Sequence, residues 1–569
     1  MVAASPAASR EIFISLSATL HSDCAVRAAP APPRNFALSR PTLTLLAALW
    51  LVALGNVPFW RSVWQAAGGL HTGNIFFLVS LPLLVLAWVY LLLSLVTWGQ
   101  ATKPVLVAVL LISAAVSYFA NVYGMVLDHS MFTNIVQTHL AEVLDLMSWR
   151  LWGWLLVFGL LPALLLAGVR VVDRRWTREL GIKALSMAIA AACLGTAPLV
   201  DYQHFAPLLR SHRELRLMLV PHNVMAAVHG HLRRRFAAPF ILEVIGADAT
   251  RPVAAAYSGK PTLTVLVVGE TARAANFSLN GYPRPTNPEL EHQNVFSFPD
   301  VSACGTSTAI SLPCMFLDVG RSGFQDTLAR RREGLLDVLQ RTGITVLWRD
   351  NNSGCKGVCD RVPYEDLSNL QVPGLCRDGE CHDEILLHGL QAHIDSLKSD
   401  AVIVLHMKGS HGPAYYKRYP PAFEVFTPVC NTIELDRCTR QSIVNAYDNS
   451  LRYTDHVLSR TIDLLRSNAP RFDTALLYVS DHGESLGENG LFLHGIPYAL
   501  APREQVQVPM LVWLSAGLLK RPGIDTDCLE ARQHEPLSHD YLFHSVLGLS
   551  RVRTAIYRPE RDLFRRCQS

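Results

Sequence analysis

Five long apolar segments in the first 201 residues constrain the fold of this chain more than any other feature. They lie near residues 42–60, 76–97, 104–122, 151–171 and 181–201. Each approaches the roughly 20 residues that an α-helix needs to cross a bilayer, and 50% of the 569 residues are hydrophobic. We therefore predict an α-helical membrane domain of five spans over residues 42–204, with a helical loop at 123–150.

Basic residues in the loops predict how this domain is oriented. These residues are Lys103 between the second and third spans, and Arg170, Arg174, Arg175 and Arg178 between the fourth and fifth. Lysine and arginine concentrate in cytoplasmic loops, so both loops are expected in the cytoplasm. Five spans then place the N-terminus in the cytoplasm and everything after about residue 202 on the opposite side of the membrane. Residues 1–41, rich in Ala, Pro and Ser, are expected to form a disordered cytoplasmic tail.

The segment that follows the spans, residues 205–258, is rich in arginine and histidine. We expect connecting helices near anionic lipid headgroups and then a linker, although a solvated connector fits the same residues. The net charge of the whole chain is only +4, and no basic stretch is interleaved with aromatic residues. A nucleic-acid partner is therefore not expected.

A second domain is predicted over residues 259–569, beginning with the strand TLTVLVVG at 262–269. Its continuous apolar content is typical of a parallel strand that is covered on both faces. Further apolar runs lie at 344–347, 401–405 and 475–479, and helix-like segments lie at 335–340 and 441–465. Strands that alternate with helices favour an α/β domain.

Eight of the twelve cysteines fall in close pairs in this second domain. The pairs are Cys304 with Cys314, Cys355 with Cys359, Cys376 with Cys381, and Cys430 with Cys438. No pair has the two-residue spacing of a zinc knuckle, so disulfides are favoured over thiolate metal sites. Disulfides indicate an oxidising compartment. This agrees with the expectation that the residues after about 202 lie outside the cytoplasm. Cys24 and Cys193 are expected to be free, and a bridge between Cys528 and Cys567 is left open.

Polar residues are aligned in the loop between the third and fourth spans. Asn134, Thr138 and Glu142 are spaced at i, i+4 and i+8, so a helix would place them on one face. Such a face could line a site for a lipid headgroup. An ordinary solvated face of an interfacial helix is the alternative.

Acidic and histidine residues follow the predicted strands at the points where these strands end. Glu270 follows the first strand, Asp481 and His482 follow the run at 475–479, and His406 closes the run at 401–405. His411 and His494 come shortly after. In open α/β sheets the ligands bind at the carboxyl ends of the strands. Oxygen and imidazole donors without thiolate suit zinc or manganese, whereas helix capping and salt bridging are the alternatives.

Three hydroxyl residues, Thr306, Ser307 and Thr308, lie in the segment SACGTSTAISLPC, which leads into a helix-like run. Backbone N–H groups at the start of a helix can bind an anion. A hydroxyl beside a divalent metal is more easily deprotonated, which makes it a candidate nucleophile. These residues do not by themselves choose among the three hydroxyls or exclude a simple capping cluster.

Long segments of the chain resemble the phosphoethanolamine transferases that modify lipid A, a family that includes the mobile colistin-resistance enzymes. The segments are VVGETARAANFSLNGY, CGTSTAISLPCMF, RDNNSGCKGVCDRV, HMKGSHGPAYYKRY, FTPVC, NAYDNS and YVSDHGESLGENGLFLHG. The family belongs to the alkaline phosphatase and sulfatase superfamily. The resemblance implies an alkaline phosphatase-like mixed sheet sandwiched by helices in the periplasmic domain.

The resemblance also implies roles for individual residues. Thr308 would be the nucleophile, on a zinc ion held also by Glu270, Asp481 and His482. The positions matching residues that bind a second zinc or the substrate are His411, His494, Lys356, His406, Asn134, Thr138 and Glu142. One tightly bound zinc is expected, and a second is left open.

The implied reaction moves phosphoethanolamine from phosphatidylethanolamine to lipid A through a phosphothreonine-type intermediate and releases diacylglycerol. Resistance to polymyxin would follow, because the added amine weakens the attraction of cationic peptides. Other acceptors (an inner-core sugar, a periplasmic glucan or a protein) and a membrane-bound hydrolase are the alternatives. The sulfatase Cys/Ser-x-Pro-x-Arg signature is absent around Thr308. We expect a monomer.

Overall fold

The computed structural model describes most of the chain. The described residues are 37–66, 69, 75–127, 129–138, 143–144, 146–200, 215–235, 241–251, 259–377 and 379–565. Residues 1–36, which make up most of the predicted tail, lie outside the described residues. Glu142 and Cys567 also lie outside them. The tail boundary predicted at residue 41 differs from the structure, because Ala37–Leu38 pairs as a short parallel strand with Arg170–Val171.

The N-terminal part of the chain is a bundle of helices. They are α1 Arg40–Trp50, α2 Val57–Ala66, α3 Ile75–Val96, α4 Thr102–Tyr123, α5 His129–Gln137, α6 Trp149–Trp154, α7 Leu161–Gly168, α8 Trp176–Val200, α9 Leu215–Met218 and α10 His222–Arg235. A π-helical turn, Leu155–Leu160, joins α6 to α7. Together they form one continuous span, Trp149–Gly168.

Four helices are long and apolar enough to cross a membrane, and a fifth span is a bent pair. The four are Ile75–Val96, Gly99–Tyr123, Trp149–Gly168 and Trp176–Thr196. The first predicted span instead bends by 59° between Arg40–Gly55 and Val57–Gln65. The prediction of a helical membrane domain is confirmed, with five spans if the bent pair counts as one.

The bend in the first span has a local cause at Asn56. Gly55 and Pro58 flank this residue, and both weaken a helix. The buried Asn56 side chain donates to Leu51 O at 2.8 Å and to Val220 O at 2.9 Å. It also accepts from Val220 N at 2.7 Å. The amide thus satisfies backbone groups that the interrupted helix leaves open.

The C-terminal part of the chain contains an eight-stranded sheet. Its strands are β1 Thr262–Gly269, β2 Phe296–Ser302, β3 Thr345–Asp350, β4 Tyr364–Asp366, β5 Ala401–His406, β6 Asp473–Ser480, β7 Gln507–Leu514 and β8 Leu537–Ser538. The order across the sheet is β8-β2-β7-β6-β1-β5-β3-β4. β7 runs antiparallel to both of its neighbours, and the other pairings are parallel. The predicted mixed α/β sheet is therefore confirmed.

Helices cover both faces of this sheet. They are α11 Thr308–Met315, α12 Leu335–Arg341, α13 Leu390–Ser396, α14 Arg440–Ser467, α15 Thr526–Arg532 and α16 Asp540–Leu549, with single helical turns at Gly320–Gly323, Asp326–Ala329, Arg503–Val506 and Ala516–Leu519. In β1, Val265 and Val267 pack toward α13 and α14, whereas Leu266 and Val268 pack toward α11, α12 and α16. Because both faces are buried, the run at residues 265–268 is continuously apolar, and each such side chain contributes about 1.5–3 kcal/mol.

The α/β domain packs against one end of the helical bundle. Tyr118, Tyr123 and Leu151 of the bundle belong to the same hydrophobic core as α13 and α14. The Tyr123 hydroxyl donates to Ile433 O at 3.2 Å, and Arg150 forms an ion pair with Asp436. The α/β domain therefore packs on the end of the bundle at which α4 ends and α6 begins.

The four predicted disulfides are present: Cys304–Cys314, Cys355–Cys359, Cys376–Cys381 and Cys430–Cys438. Cys193 is free and exposed, as predicted. Cys528 is also disulfide-bonded. The pairing of Cys528 with Cys567 stays open, because Cys567 lies outside the described residues.

Candidate metal centre and nucleophile

Three potential metal ligands converge at the carboxyl ends of β1 and β6. Ser480 pairs with Gly269 in the parallel register of these strands, so the residues that follow, Glu270 and Asp481, emerge side by side. His482 Nε2 lies 3.2 Å from Glu270 Oε1 and 3.4 Å from Asp481 Oδ2. All three side chains are fully buried or nearly so, and one donor atom from each lies within 4.8 Å of the others.

The residues present fit a divalent metal. Asp481 Oδ2 is buried and has no hydrogen-bond partner within the described part of the chain. His482 Nδ1 lies 2.9 Å from Gly483 O, to which it donates when protonated, so Nε2 faces the carboxylates as a lone-pair donor. A buried acceptor without a donor is costly in a protein interior. Two carboxylates and one imidazole with such an acceptor form a suitable ligand set for zinc.

The ionisation of these groups also indicates a place for a cation. Burial would raise the pKa of Glu270, but the hydrogen bond and charge of His482 outweigh burial and lower this pKa. Burial and the charge of Glu270 raise the pKa of Asp481. Burial would lower the pKa of His482, but both carboxylates raise it. Without a metal, the site therefore holds protons that a divalent cation would displace.

Thr308 is the hydroxyl residue that the fold brings to these ligands. It is the first residue of α11, and its Oγ1 lies 3.0 and 3.2 Å from the two Glu270 oxygens and 3.5 Å from His482 Nε2. The Thr306 hydroxyl instead donates to Ile496 O at 2.7 Å. Ser307 precedes the helix and makes no capping hydrogen bond with its side chain. The geometry thus separates three hydroxyls that the sequence alone left equivalent.

Two further predicted histidines lie beside the ligands. The ring centroid of His494 is 4.4 Å from that of His482 and 5.3 Å from that of His411. His494 Nδ1 lies 2.8 Å from Glu484 Oε2. The other oxygen of Glu484 accepts from the Tyr415 hydroxyl at 2.6 Å. His494 is therefore held by one ring nitrogen, which leaves Nε2 for a ligand or a proton.

The loop that carries His411 passes directly against Glu270. Ser410 N donates to Glu270 O at 3.1 Å. Gly409 has a φ of +55°, and a Cβ atom at this position would lie 2.5 Å from Glu270 O. Only glycine fits both the backbone conformation and this close approach. The glycine of the HMKGSHG segment thus allows His411 to reach the site.

His406 lies beneath the ligands and is fully buried. Its Nδ1 lies 2.9 Å from Asp350 Oδ2, and its Nε2 lies 3.3 Å from the Asn352 amide nitrogen. Burial would lower the pKa of His406, but Asp350 raises it. The predicted contact of His406 with the phosphoethanolamine moiety stays a prediction, and the contacts observed are those of a supporting residue.

Lys356 and α5 lie at a neighbouring cavity of about 400 Å³, which Thr133 of α5 and Ala309 of α11 also line. Lys356 Nζ donates to Ser353 O and Oγ, each at 2.8 Å. The membrane-proximal helix thus meets the helix that begins at the nucleophile.

The predicted polar face of this membrane-proximal loop is only partly described. Asn134 is half-buried on α5, whereas Thr138 follows the last residue of that helix and donates to Asn134 O at 2.8 Å. The third predicted residue, Glu142, lies outside the described residues. Alignment of all three side chains on one helical face therefore stays a prediction.

Three supporting residues were not predicted from the sequence. The Asn352 amide donates to Glu270 Oε2 and Met407 O, each at 2.8 Å. His539 accepts from Cys304 N at 3.1 Å and donates to Ser480 O at 2.9 Å. Glu484 holds His494, as described above. Asn352 follows the end of β3, so the strand-end argument could have found it, whereas nothing in the local sequence marks His539.

Comparison with known proteins agrees with this arrangement. A family model for Phosphoethanolamine transferase EptA/EptB matches residues 85–236, and a Sulfatase model matches residues 262–552. Phosphoethanolamine transferase EptA of Escherichia coli (strain K12) is 42% identical over 538 residues, which cover 93% of this chain and 98% of that protein. Phosphatidylethanolamine transferase Mcr-1 of Escherichia coli is 37% identical and covers 88% and 93%.

A solved structure has the same architecture over nearly the whole chain. It is the integral membrane protein lipooligosaccharide phosphoethanolamine transferase A (EptA) from Neisseria meningitidis. The TM-score is 0.90 at 36% identity, and the match covers 93% of this chain and 100% of that one. The expected membrane domain, the α/β domain and the resemblance are confirmed together. This chain therefore belongs to the EptA/EptB family of phosphoethanolamine transferases.

Proposed function

We propose that this chain transfers phosphoethanolamine from phosphatidylethanolamine to lipid A in a zinc-dependent reaction. The observation that carries the proposal is the Thr308 hydroxyl, 3.0 Å from Glu270 and beside Asp481 and His482. The names of the related proteins support the two substrates. Mcr-1 is named a phosphatidylethanolamine transferase, and the protein from Neisseria meningitidis is named a lipooligosaccharide phosphoethanolamine transferase.

Glu270, Asp481, His482 and Thr308 would hold one zinc ion, and His411 and His494 would bind a second zinc or the phosphoryl group. When bound, zinc lowers the pKa of a ligating hydroxyl and neutralises charge on phosphoryl oxygens. The buried, unpartnered Asp481 Oδ2 supports this assignment.

In the first step, Thr308 Oγ1 attacks the phosphorus of phosphatidylethanolamine. A bond forms between this oxygen and phosphorus, and the bond from phosphorus to the diacylglycerol oxygen breaks. Thr308 gives up its proton, for which Glu270 is the nearest acceptor. His494, oriented by Glu484, is placed to protonate the departing diacylglycerol oxygen through Nε2. The product is phosphoethanolamine bound to Thr308.

In the second step, a phosphate oxygen of lipid A attacks the same phosphorus, and the bond to Thr308 Oγ1 breaks. Oγ1 takes back the proton held by Glu270, and the proton of the attacking phosphate group passes to His494, so both groups are restored for the next cycle. In this proposal Lys356 contacts the phosphoethanolamine moiety, and its ammonium would offset negative charge on the phosphoryl oxygens. The helix α11 begins at Thr308, so its first backbone N–H groups also face developing negative charge.

The arrangement of the two domains supports lipid substrates. The α/β domain packs on the end of the bundle where Tyr123 meets Ile433. The loops rich in lysine and arginine belong to the opposite end, which we assign to the cytoplasm. The site then lies on the periplasmic side of the inner membrane, where both lipids expose their headgroups.

Intact-mass spectrometry of purified protein tests the proposal. We expect incubation with phosphatidylethanolamine to add one phosphoethanolamine unit to the wild type and to Ser307→Ala. Thr308→Ala should acquire none, because it lacks the attacking oxygen. An adduct on the Thr308→Ala protein would show that the nucleophile is another residue.

A further inference from the structure

A cavity of about 440 Å³, lined by both charged and apolar side chains, lies at the end of the helical bundle that is remote from the α/β domain. Helix α4 separates the two regions. It has 22 residues and is therefore about 33 Å long, which matches the thickness of a bilayer core. Tyr123 at its C-terminal end contacts the α/β domain, whereas the Trp98–Gln100 turn before its N-terminal end lines the cavity. The cavity therefore faces the opposite leaflet from Thr308.

Fixed cations form part of the cavity wall. Arg40 donates from Nε to Gly99 O at 3.1 Å and lies 2.6 Å from Asp173 and 3.7 Å from Glu179. Lys183 donates to Thr97 O, and its ammonium lies 3.6 Å from the centroid of the Trp98 ring. These contacts hold both positive charges in place before any ligand arrives, which lowers the entropy cost of binding an anion.

The cavity also offers an acceptor that lacks a donor. Glu179 Oε2 is buried and has no hydrogen-bond partner within the described part of the chain. Leaving such an atom unpaired is unfavourable, so a ligand that donates to it gains affinity. Arg174 also lines the cavity. The lining therefore contains three cationic side chains, Arg40, Arg174 and Lys183, and two carboxylates, Asp173 and Glu179. The wall therefore suits a ligand that carries both a negative group and a hydrogen-bond donor.

Apolar and aromatic surfaces place this cavity at a membrane interface. Trp98 and Trp176 are 54% and 75% exposed at its rim, and exposed tryptophan is typical of the headgroup level. Leu95 and Leu180 are 57% and 44% exposed on adjoining parts of α3 and α8, where acyl chains would pack.

We propose that this cavity binds the headgroup of a glycerophospholipid of the cytoplasmic leaflet. The phosphodiester lies against Arg40 and Lys183, and an ammonium or hydroxyl group of the headgroup donates to Glu179. Phosphatidylethanolamine and phosphatidylglycerol share this chemistry. The assignment to the cytoplasmic leaflet rests on the orientation in the proposed function, but the binding itself does not depend on the transfer reaction.

Native mass spectrometry of the full-length protein in detergent tests the site. Dioctanoyl phosphatidylethanolamine, phosphatidylglycerol and phosphatidylcholine are titrated separately, and the bound lipid is counted. We expect the Arg40→Gln/Lys183→Gln protein to bind the first two lipids about tenfold more weakly than the wild type, because two charge-assisted contacts are lost. Lys103→Gln is the matched control, because Lys103 lies at the same end and donates to Ala167 O outside the cavity.

Glu179→Gln tests the donor contact with little change of shape. Phosphatidylcholine has no donor in its headgroup, so the wild type should bind it about fivefold more weakly than phosphatidylethanolamine. Glu179→Gln should reduce this preference, because the neutral amide oxygen accepts more weakly than the carboxylate. Equal binding of all three lipids by the wild type would overturn the donor contact, and unchanged binding by the double variant would overturn the site.

Two measurements keep this result separate from the catalytic site. Phosphatidylethanolamine also binds near Thr308 in the proposed function, whereas phosphatidylglycerol carries no phosphoethanolamine to transfer and reports the cavity. Adduct formation on Thr308 is followed in the same proteins. Weaker phosphatidylglycerol binding by the double variant with normal adduct formation supports the inference, whereas a wild type that binds phosphatidylglycerol but forms no adduct contradicts only the transfer mechanism.

Discussion

Thr308 Oγ1 lies 3.0 Å from Glu270 Oε2, although these residues come from a helix start and a strand end that are 38 residues apart. The same carboxylate lies 3.2 Å from His482 Nε2 through its other oxygen. One side chain therefore joins the candidate nucleophile to the candidate metal ligands. Changes at Glu270 should affect metal binding and chemistry together.

Glu270→Gln keeps the size of the side chain and removes its charge. We expect the affinity for zinc to fall by at least about 100-fold, because a carboxylate ligand is lost from a set of only two. Zinc content after dialysis and competition with a chelator measure the change. Glu560→Gln, an exposed position, is the control. Equal zinc affinity in both variants would exclude Glu270 as a ligand.

Asn352→Ala should weaken the site without removing a ligand. The amide donates to Glu270 Oε2 at 2.8 Å, and loss of a partner that orients a ligand typically lowers metal affinity or activity about 10–100-fold. The exposed Asn369→Ala is the matched control. Zinc affinity and transfer rate are measured on both proteins. If Asn352→Ala matches the wild type in both, its contact with Glu270 has no functional role.

Glu484→Gln should separate proton transfer from metal binding. The carboxylate lies 2.8 Å from His494 Nδ1, and the proposed role of His494 is to protonate diacylglycerol. We expect the turnover number to fall about 10–100-fold while zinc content stays unchanged, since a misoriented general acid loses most of its effect. A fall in zinc content instead would indicate that His494 mainly binds metal.

Glu380 supports the loop that carries His411, and its charge should make this support depend on pH. It lies 2.9 Å from both Lys408 and Arg418, and Arg418 donates to His411 O at 2.9 Å. Burial would raise the pKa of Glu380, but Arg418 and Lys408 outweigh burial and lower it from 4.5 to about 2. The ionised carboxylate of Glu380 therefore stabilises the folded state by about 3 kcal/mol.

Because this pKa is depressed, the stabilisation is complete above pH 4.5 and is lost as pH falls through about 2. Glu380→Gln should therefore lower the melting temperature near pH 7, and the difference from wild type should shrink between pH 4.5 and 2. Thermal unfolding of the full chain in detergent across this range measures it. A difference that stays constant with pH would show that the charge of Glu380 is not the cause.

Much of the site follows from the sequence because parallel strands bring their carboxyl ends to one edge of a sheet. Glu270 and Asp481 could be placed together because β1 and β6 each have a continuous apolar run and a carboxylate directly follows each strand. The membrane helices were predictable for a similar reason, since their length and composition need no tertiary contact. Local pattern and global fold agree at these positions.

Other features depend on contacts that a local pattern does not contain. Thr306 and Thr308 look alike in the sequence, and the Ile496 carbonyl and the Glu270 carboxylate distinguish them. The bend in the first span depends on Asn56 and the distant backbone of Val220. His406 also ends a strand, but Asp350 and Asn352 enclose it below the site.

Mass spectrometry of lipid A tests the central claim that Thr308 carries phosphoethanolamine between two lipids. The chain is expressed in a bacterium that lacks its own lipid A phosphoethanolamine transferase, and membrane insertion is verified by immunoblot. We predict that the wild type and Ser307→Ala add a phosphoethanolamine unit to lipid A, whereas Thr308→Ala adds none. Unmodified lipid A in cells with membrane-inserted wild type, or modified lipid A with Thr308→Ala, would contradict the claim.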